Sequence, residues 1–182
     1  MADIVLSGST SGSVTLSAQA VSGSTTLTLP TTSGTVVVAG PAFSARNTST
    51  QAITNNTFTK ILFDTEDYDT NNNFASSRFT PTVAGYYLLN AVVGSTGSAS
   101  VQQMYMMLYK NGSILAPAFR NMNPSTAYSS NGACIVNNSM VVSLNGSGDY
   151  IELYVYVYND NITIGTGNNG ALLSGTYLRS AA

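Results

Sequence analysis

Histidine is missing from this sequence altogether. Without an imidazole there is no His-based nucleophile triad, and the usual zinc enzymes lose their commonest ligand. Cysteine occurs once, as Cys134, so no disulfide can form within the chain, and the disulfide-stapled class of small secreted folds is excluded. Cys134 has no histidine to activate it and sits in the apolar run 133–136, where it reads as a small buried hydrophobe rather than a nucleophile. Charge is scarce as well: 8% of the residues, against about 25% in an average globular domain. The six basic residues, Lys60, Lys110, Arg46, Arg78, Arg120 and Arg179, stand singly. Neutralising a run of phosphates needs a basic patch, so nucleic-acid binding is a poor fit. No glycine-rich phosphate loop ends in lysine, and no stretch approaches 18 apolar residues. The opening MADIVLSGSTSGS has neither a basic start nor a long apolar core, so no ordinary signal peptide is expected.

What is present is 43% hydrophobic residues, with Ser, Thr, Asn and Gly making up most of the rest. That is too apolar and too weakly charged for a disordered chain. It suits short strands joined by tight turns. Residues 1–40 contain no aromatic residue and one charged side chain, Asp3. A motif recurs there about every ten residues: Gly12-Ser-Val-Thr-Leu16, Gly23-Ser-Thr-Thr-Leu-Thr-Leu29 and Gly34-Thr-Val-Val-Val38. Leu27 and Leu29 share one parity and Thr26 and Thr28 the other, the pattern of a half-buried strand. Strands this short need an apolar neighbour outside themselves. The division predicted is a β-rich arm over 1–40 and one domain over 41–182.

In the domain the apolar segments are short and bounded by Gly, Asn, Pro and Ser, and none holds a helical period. Lys110-Asn111-Gly112 predicts a two-residue hairpin turn. Asn145-Gly146 predicts a slightly longer one, and 71–73 and 159–170 read as loops. Thr80-Pro81 ends a strand, because proline lacks the ladder donor. Asp149 reads as a turn residue accepting backbone hydrogen bonds. Over 150–158 one parity carries Ile151, Leu153, Val155 and Val157, and the other Tyr150, Glu152, Tyr154, Tyr156 and Tyr158. Over 104–109 the second parity is Tyr105, Met107 and Tyr109. A sheet facing water on one side alternates apolar with polar more cleanly. The aliphatic face is expected in the core. Tyr105, Met107, Tyr109, Tyr154, Tyr156 and Tyr158 are expected at a contact between subunits, where such residues are enriched.

Specific phrases then say more than periodicity. Pro41-Ala-Phe-Ser-Ala45, Ile61-Leu-Phe63, Arg78-Phe-Thr-Pro81, Gly85-Tyr-Tyr87, Leu108-Tyr-Lys-Asn-Gly112, Gly148-Asp-Tyr-Ile-Glu-Leu153 and Leu173-Ser-Gly175 follow in order through 41–178. Together they resemble the globular head of complement component one, subcomponent q, in the tumour-necrosis-factor-like superfamily. The resemblance implies an all-β, ten-stranded jelly roll of two antiparallel sheets, associated as a homotrimer, with the strand over 150–158 near the shared axis. Leu173 stands where the family often has Phe, and no collagen-like Gly-X-Y run precedes the domain. The motifs of the first forty residues resemble N-terminal segments of bacteriophage fibre and other virion proteins.

Carboxylates are the remaining chemical currency. Asp64, Glu66, Asp67 and Asp69 crowd one segment, which is not the opposed pair a glycosidase needs. Glu66 and Asp67 are the candidate calcium ligands, a hard ion taking oxygen donors; the alternative is a solvated acidic turn. No other cofactor is expected. The expectation is a non-enzymatic virion structural protein, a trimeric capsid decoration protein or short fibre. It is assembled in the host cytoplasm, displayed on the virion surface, and held to the major capsid or another virion protein through 1–40. The alternatives are a tail-fibre receptor-binding head, touching host glycan or protein through 121–131 and 159–170, and a secreted or spore-surface trimeric binding module.

Overall fold

The structure is a computed structural model that describes residues 4–7, 9–16, 40–97, 103–115, 119–122 and 134–180. The chain divides into two compact units, residues 1–35 and 36–182.

In the first unit the motif at Gly12 forms a strand. β1 (Ile4–Ser7) and β2 (Ser13–Leu16) pair antiparallel. Gly12 enters the second strand with a φ of 78°, a conformation glycine adopts without steric cost. The motifs at 23–29 and 34–38 lie outside the described residues.

The second unit is an all-β jelly roll. Its strands are β3 (Ala42–Arg46), β4 (Gln51–Ile53), β5 (Thr59–Lys60), β6 (Thr65–Asp69), β7 (Phe74–Ala75), β8 (Arg78–Phe79) and β9 (Gly85–Gly97). Then follow β10 (Gln103–Lys110), β11 (Ser113–Ile114), β12 (Phe119–Met122), β13 (Cys134–Leu144), β14 (Ile151–Tyr158), β15 (Ile162–Ile164) and β16 (Ala171–Arg179). One seven-stranded sheet runs β11-β10-β14-β8-β7, with β12 also on β10 and β5 on β14. The other runs β4-β15-β9-β16-β3-β6, with β13 also on β9. Among the described residues of this unit there are fourteen strands, seven in each sheet, and four of them, β5, β7, β8 and β11, are two residues long.

Alternation on the long strands, broken by the burial of Met107 and Glu152, builds the core. Ile151, Leu153, Val155 and Val157 of β14 are fully buried, and they share one cluster with Tyr87, Leu89, Ala91 and Val93 of β9 in the other sheet. Each aliphatic side chain so buried contributes about 1.5–3 kcal/mol. Aromatic rings close one part of it: Phe43 lies 4.2 Å from Phe79 and 5.1 Å from Phe74, and Phe79 meets Tyr87 edge-on at 5.5 Å. The Tyr87 hydroxyl donates to the Val83 carbonyl at 2.6 Å, so its one polar atom is satisfied.

The turns follow their residues. Asn111 and Gly112 take φ of 54° and 77°, and Lys110 pairs with Ser113, as a two-residue hairpin requires. Gly146 sits at φ 70°, and a Cβ there would lie 2.3 Å from the Ala84 nitrogen. Asp149 accepts from the Asn145 backbone at 3.0 Å and from Asn111 Nδ2 at 2.7 Å, and pairs with Lys110 Nζ at 2.8 Å. β8 ends just before Thr80-Pro81. One reading needs correction: 159–170 is not loop throughout. Ile162–Ile164 forms β15 between β4 and β9, and Gly167–Asn169 makes one 3-10 turn. Three residues are too few for a visible period, and both partners are distant in sequence.

Candidate interaction surfaces

The pairing of β10 with β14 places Tyr105 opposite Tyr156, Met107 opposite Tyr154, Tyr109 opposite Glu152 and Gln103 opposite Tyr158. All six Tyr and Met positions singled out from the sequence therefore share one sheet face. Their rings pack on one another. Tyr109 stacks on Tyr154 at 4.1 Å, Tyr105 meets Tyr156 edge-on at 5.8 Å, and Phe58 lies 4.8 Å from Tyr156. The Tyr156 hydroxyl donates to Asn56 Oδ1 at 3.0 Å, and the Tyr105 hydroxyl donates to Gln103. Met107 is buried, and Tyr158 is the most open of the six. Burial pushes the phenols of Tyr109 and Tyr154 above their ordinary range.

Sequence reasoning put Glu152 on this face but missed the two cations that meet it there. Glu152 is 3% exposed, and its Oε1 accepts from Lys60 Nζ at 2.7 Å and from Arg78 Nε and Nη2 at 3.0 and 2.8 Å. The Arg78 guanidinium also lies 3.8 Å over the Tyr150 ring. Burial, the largest single influence, pushes the Glu152 carboxyl up, but the bonds and charges of Lys60 and Arg78 outweigh it and hold the group below its ordinary value. A lone glutamate in an otherwise apolar strand was the available signal.

The outward face of the other sheet is built differently. Five cross-strand rows are set by register: Ile135–Gly94; Asn137–Val92–Leu172–Arg46; Ser139–Asn90–Ser174–Ser44; Val141–Leu88–Thr176–Ala42; and Ser143–Tyr86–Arg179. A polar row, in which Ser139 bonds Asn90, is thus flanked by rows that are mixed, with Val92 and Leu172 on one side and Val141, Leu88 and Ala42 on the other. Ile135 and Val141 are 51% and 53% exposed. The charged residues in these rows are Arg179, whose guanidinium lies 4.7 Å over the Tyr86 ring, and Arg46, at the β3 margin, where its Nε pairs with Asp67 Oδ1 at 2.7 Å. Beside that margin lies a hollow of about 280 Å³ lined in part by Arg46, Asn47, Val92, Gly167, Asn168 and Leu172.

The acidic segment is largely committed to local bonds. Asp64 accepts from the Thr48 and Ser49 backbone at 2.6 and 2.9 Å, which lowers its pKa to about 2. Asp69 accepts from the Phe74 backbone at 2.7 Å. Asp67 is held by Arg46, which lowers its pKa, and by Ser44 Oγ at 3.2 Å; Glu66 is exposed. Both Asp67 oxygens already accept a hydrogen bond, Oδ1 from Arg46 and Oδ2 from Ser44, and a calcium ion on Glu66 and Asp67 would share them. Among the described residues no group of three or more His, Cys, Asp or Glu is placed to hold a metal. Most of the candidate contact loop 121–131 and the Cys134 side chain lie outside the described residues.

Two packed antiparallel sheets with this strand order define a jelly-roll head of the complement and tumour-necrosis-factor-like kind. The C1q domain family profile matches residues 42–177, and the chain belongs to that family. Solved structures agree on the fold. The globular domain of zebrafish complement 1qA protein is 18% identical, with a TM-score of 0.54 over 78% of this chain and 99% of that one. Murine APRIL is 12% identical, with a TM-score of 0.53 over 76% and 99%, and Eiger TNF from S. frugiperda is 11% identical, with 0.52 over 79% and 96%. Among curated proteins, the phage-like element PBSX protein XkdV of Bacillus subtilis (strain 168) is 32% identical over 120 residues, 63% of this chain. That match spans 17% of XkdV's own length.

Proposed function

We propose that this protein is a non-enzymatic structural component of a phage particle, a homotrimeric capsid decoration protein or short fibre. Residues 41–182 form the displayed head, and residues 1–40 anchor it to the major capsid or another virion protein. The observation that carries this reading is the pairing of a C1q domain with a sequence relative from a phage-like element. The setting is the virion surface, after assembly in the host cytoplasm. Self-association is supported by the two sheet faces above, neither of which resembles an ordinary solvated β surface.

The Tyr–Met face is one surface for the contact between copies. A specific observation favours the other sheet. The Tyr–Met rings already pack against one another, with the Lys60–Glu152–Arg78 group among them, whereas Ile135 and Val141 stand open on a face whose cations, Arg46 and Arg179, lie at strand ends and already have partners, Asp67 and the Tyr86 ring. Burying Ile135 and Val141 would take open aliphatic surface out of water.

Particle assembly tests the anchor role. A chain lacking residues 1–40 is expected to fold and self-associate but to stay out of particles that lack the native copy. Normal incorporation would contradict the anchor role. Loss of self-association would assign the arm to the oligomer itself.

A further inference from the structure

The hairpin of the first unit is amphipathic, and its apolar side is bare. The register Ile4↔Leu16, Val5↔Thr15, Leu6↔Val14 and Ser7↔Ser13 puts four aliphatic positions, 4, 6, 14 and 16, on one face. The opposite face carries Val5, Ser7, Ser13 and Thr15. Ile4, Leu6 and Val14 are 62%, 56% and 61% exposed in the single chain. A two-stranded sheet with an uncovered apolar face is at best marginally stable in water. Something covers it.

We infer that the cover is the same face of the hairpins of other copies of this chain, packed around a shared apolar centre. Charge is the first argument. Residues 4–16 contain no charged side chain, so identical faces can close on one another without bringing like charges together. Polarity of the two sides is the second. Ser7, Ser13 and Thr15 line the other face, so it can stay in water while the aliphatic face turns inward. Availability is the third, and it rests on the homotrimer reading given above. Heads that associate tether three identical hairpins together, and tethering raises their effective concentration to the millimolar range for short linkers. Among the described residues β1 and β2 pair with each other alone, and packing through side chains does not use their outer edges, so the arrangement is compatible with an anchoring arm.

The test uses the full chain with Val14→Cys or Thr15→Cys, adjacent exposed positions on opposite faces. Each variant is oxidised mildly, and disulfides joining two copies through the introduced thiol are identified by peptide mass, so that Cys134 does not confuse the reading. Light scattering of the unoxidised protein reports the oligomer. The expected result is that Val14→Cys cross-links at least ten times faster than Thr15→Cys. Equal rates, or no link through position 14 in a chain that is trimeric by mass, would overturn the inference while leaving the trimer reading intact. A monomeric mass would overturn the trimer reading and this inference with it.

Discussion

Glu152 is a buried carboxylate that meets two cations through a single oxygen. Its carboxylate is almost fully buried, while Lys60 and Arg78 reach it with side chains that are 24% and 43% exposed. The three groups are therefore unequal. Removing the glutamate leaves two cations that can turn back to water, whereas removing both cations leaves a buried charge alone. Glu152→Gln is expected to cost about 1–2 kcal/mol, and Lys60→Met with Arg78→Met about 3–5 kcal/mol. Urea unfolding of the two variants measures the order, and a larger loss in Glu152→Gln would contradict it. Asp64 makes a second prediction. Its folded pKa is about 2, below the ordinary value of 3.8, because the Thr48 and Ser49 bonds favour the ionised form. Its contribution is present in full above about pH 4 and is lost as pH falls toward 2. The gap in melting temperature between the native chain and Asp64→Ala is expected to hold steady at neutral pH and to close below pH 4. A gap unchanged down to pH 2 would show that the bonds do not select the carboxylate. Neither network is legible in the sequence. Glu152 lies 92 residues from Lys60 and 74 from Arg78, and no local spacing marks such a meeting.

At the scale of elements the sequence speaks more clearly. The alternation of β14 identifies its core side directly, because burial on a strand has a period of two. Asn111-Gly112 identifies its turn, because few residue pairs accept positive φ at both central positions. β15 is hidden inside an apparent loop because three residues carry no period and its neighbours lie far off along the chain. The Tyr–Met face is legible as a face, yet its internal packing and the cations that meet its glutamate depend on strand pairing that no local pattern encodes. Two substitutions separate the two sheet faces as contact surfaces. If the aliphatic rows form the contact, Val141→Asp is expected to dissociate the oligomer, since an unpaired carboxylate buried there costs several kcal/mol, roughly, per copy. Tyr156→Asp is then expected to lower thermal stability while leaving the mass unchanged. Dissociation by Tyr156→Asp with no effect of Val141→Asp would place the contact on the Tyr–Met face instead. Size-exclusion chromatography with light scattering reads both outcomes.

For the whole molecule, the family is legible because ordered phrases from Pro41 to Gly175 carry turn and core positions that the jelly roll needs together. The arm is legible as repeated β motifs, and its first hairpin shows why those motifs ask for company: they alternate aliphatic and hydroxyl residues over strands too short to bury either face. Role on the particle is less legible, since a decoration protein and a receptor-binding head share the same core physics and differ in where they are placed. What both readings require is association of identical heads. Light scattering of the full chain at low micromolar concentration tests that directly. The account predicts a single species of about three times the 19.0 kDa chain mass; a monodisperse monomer would contradict it.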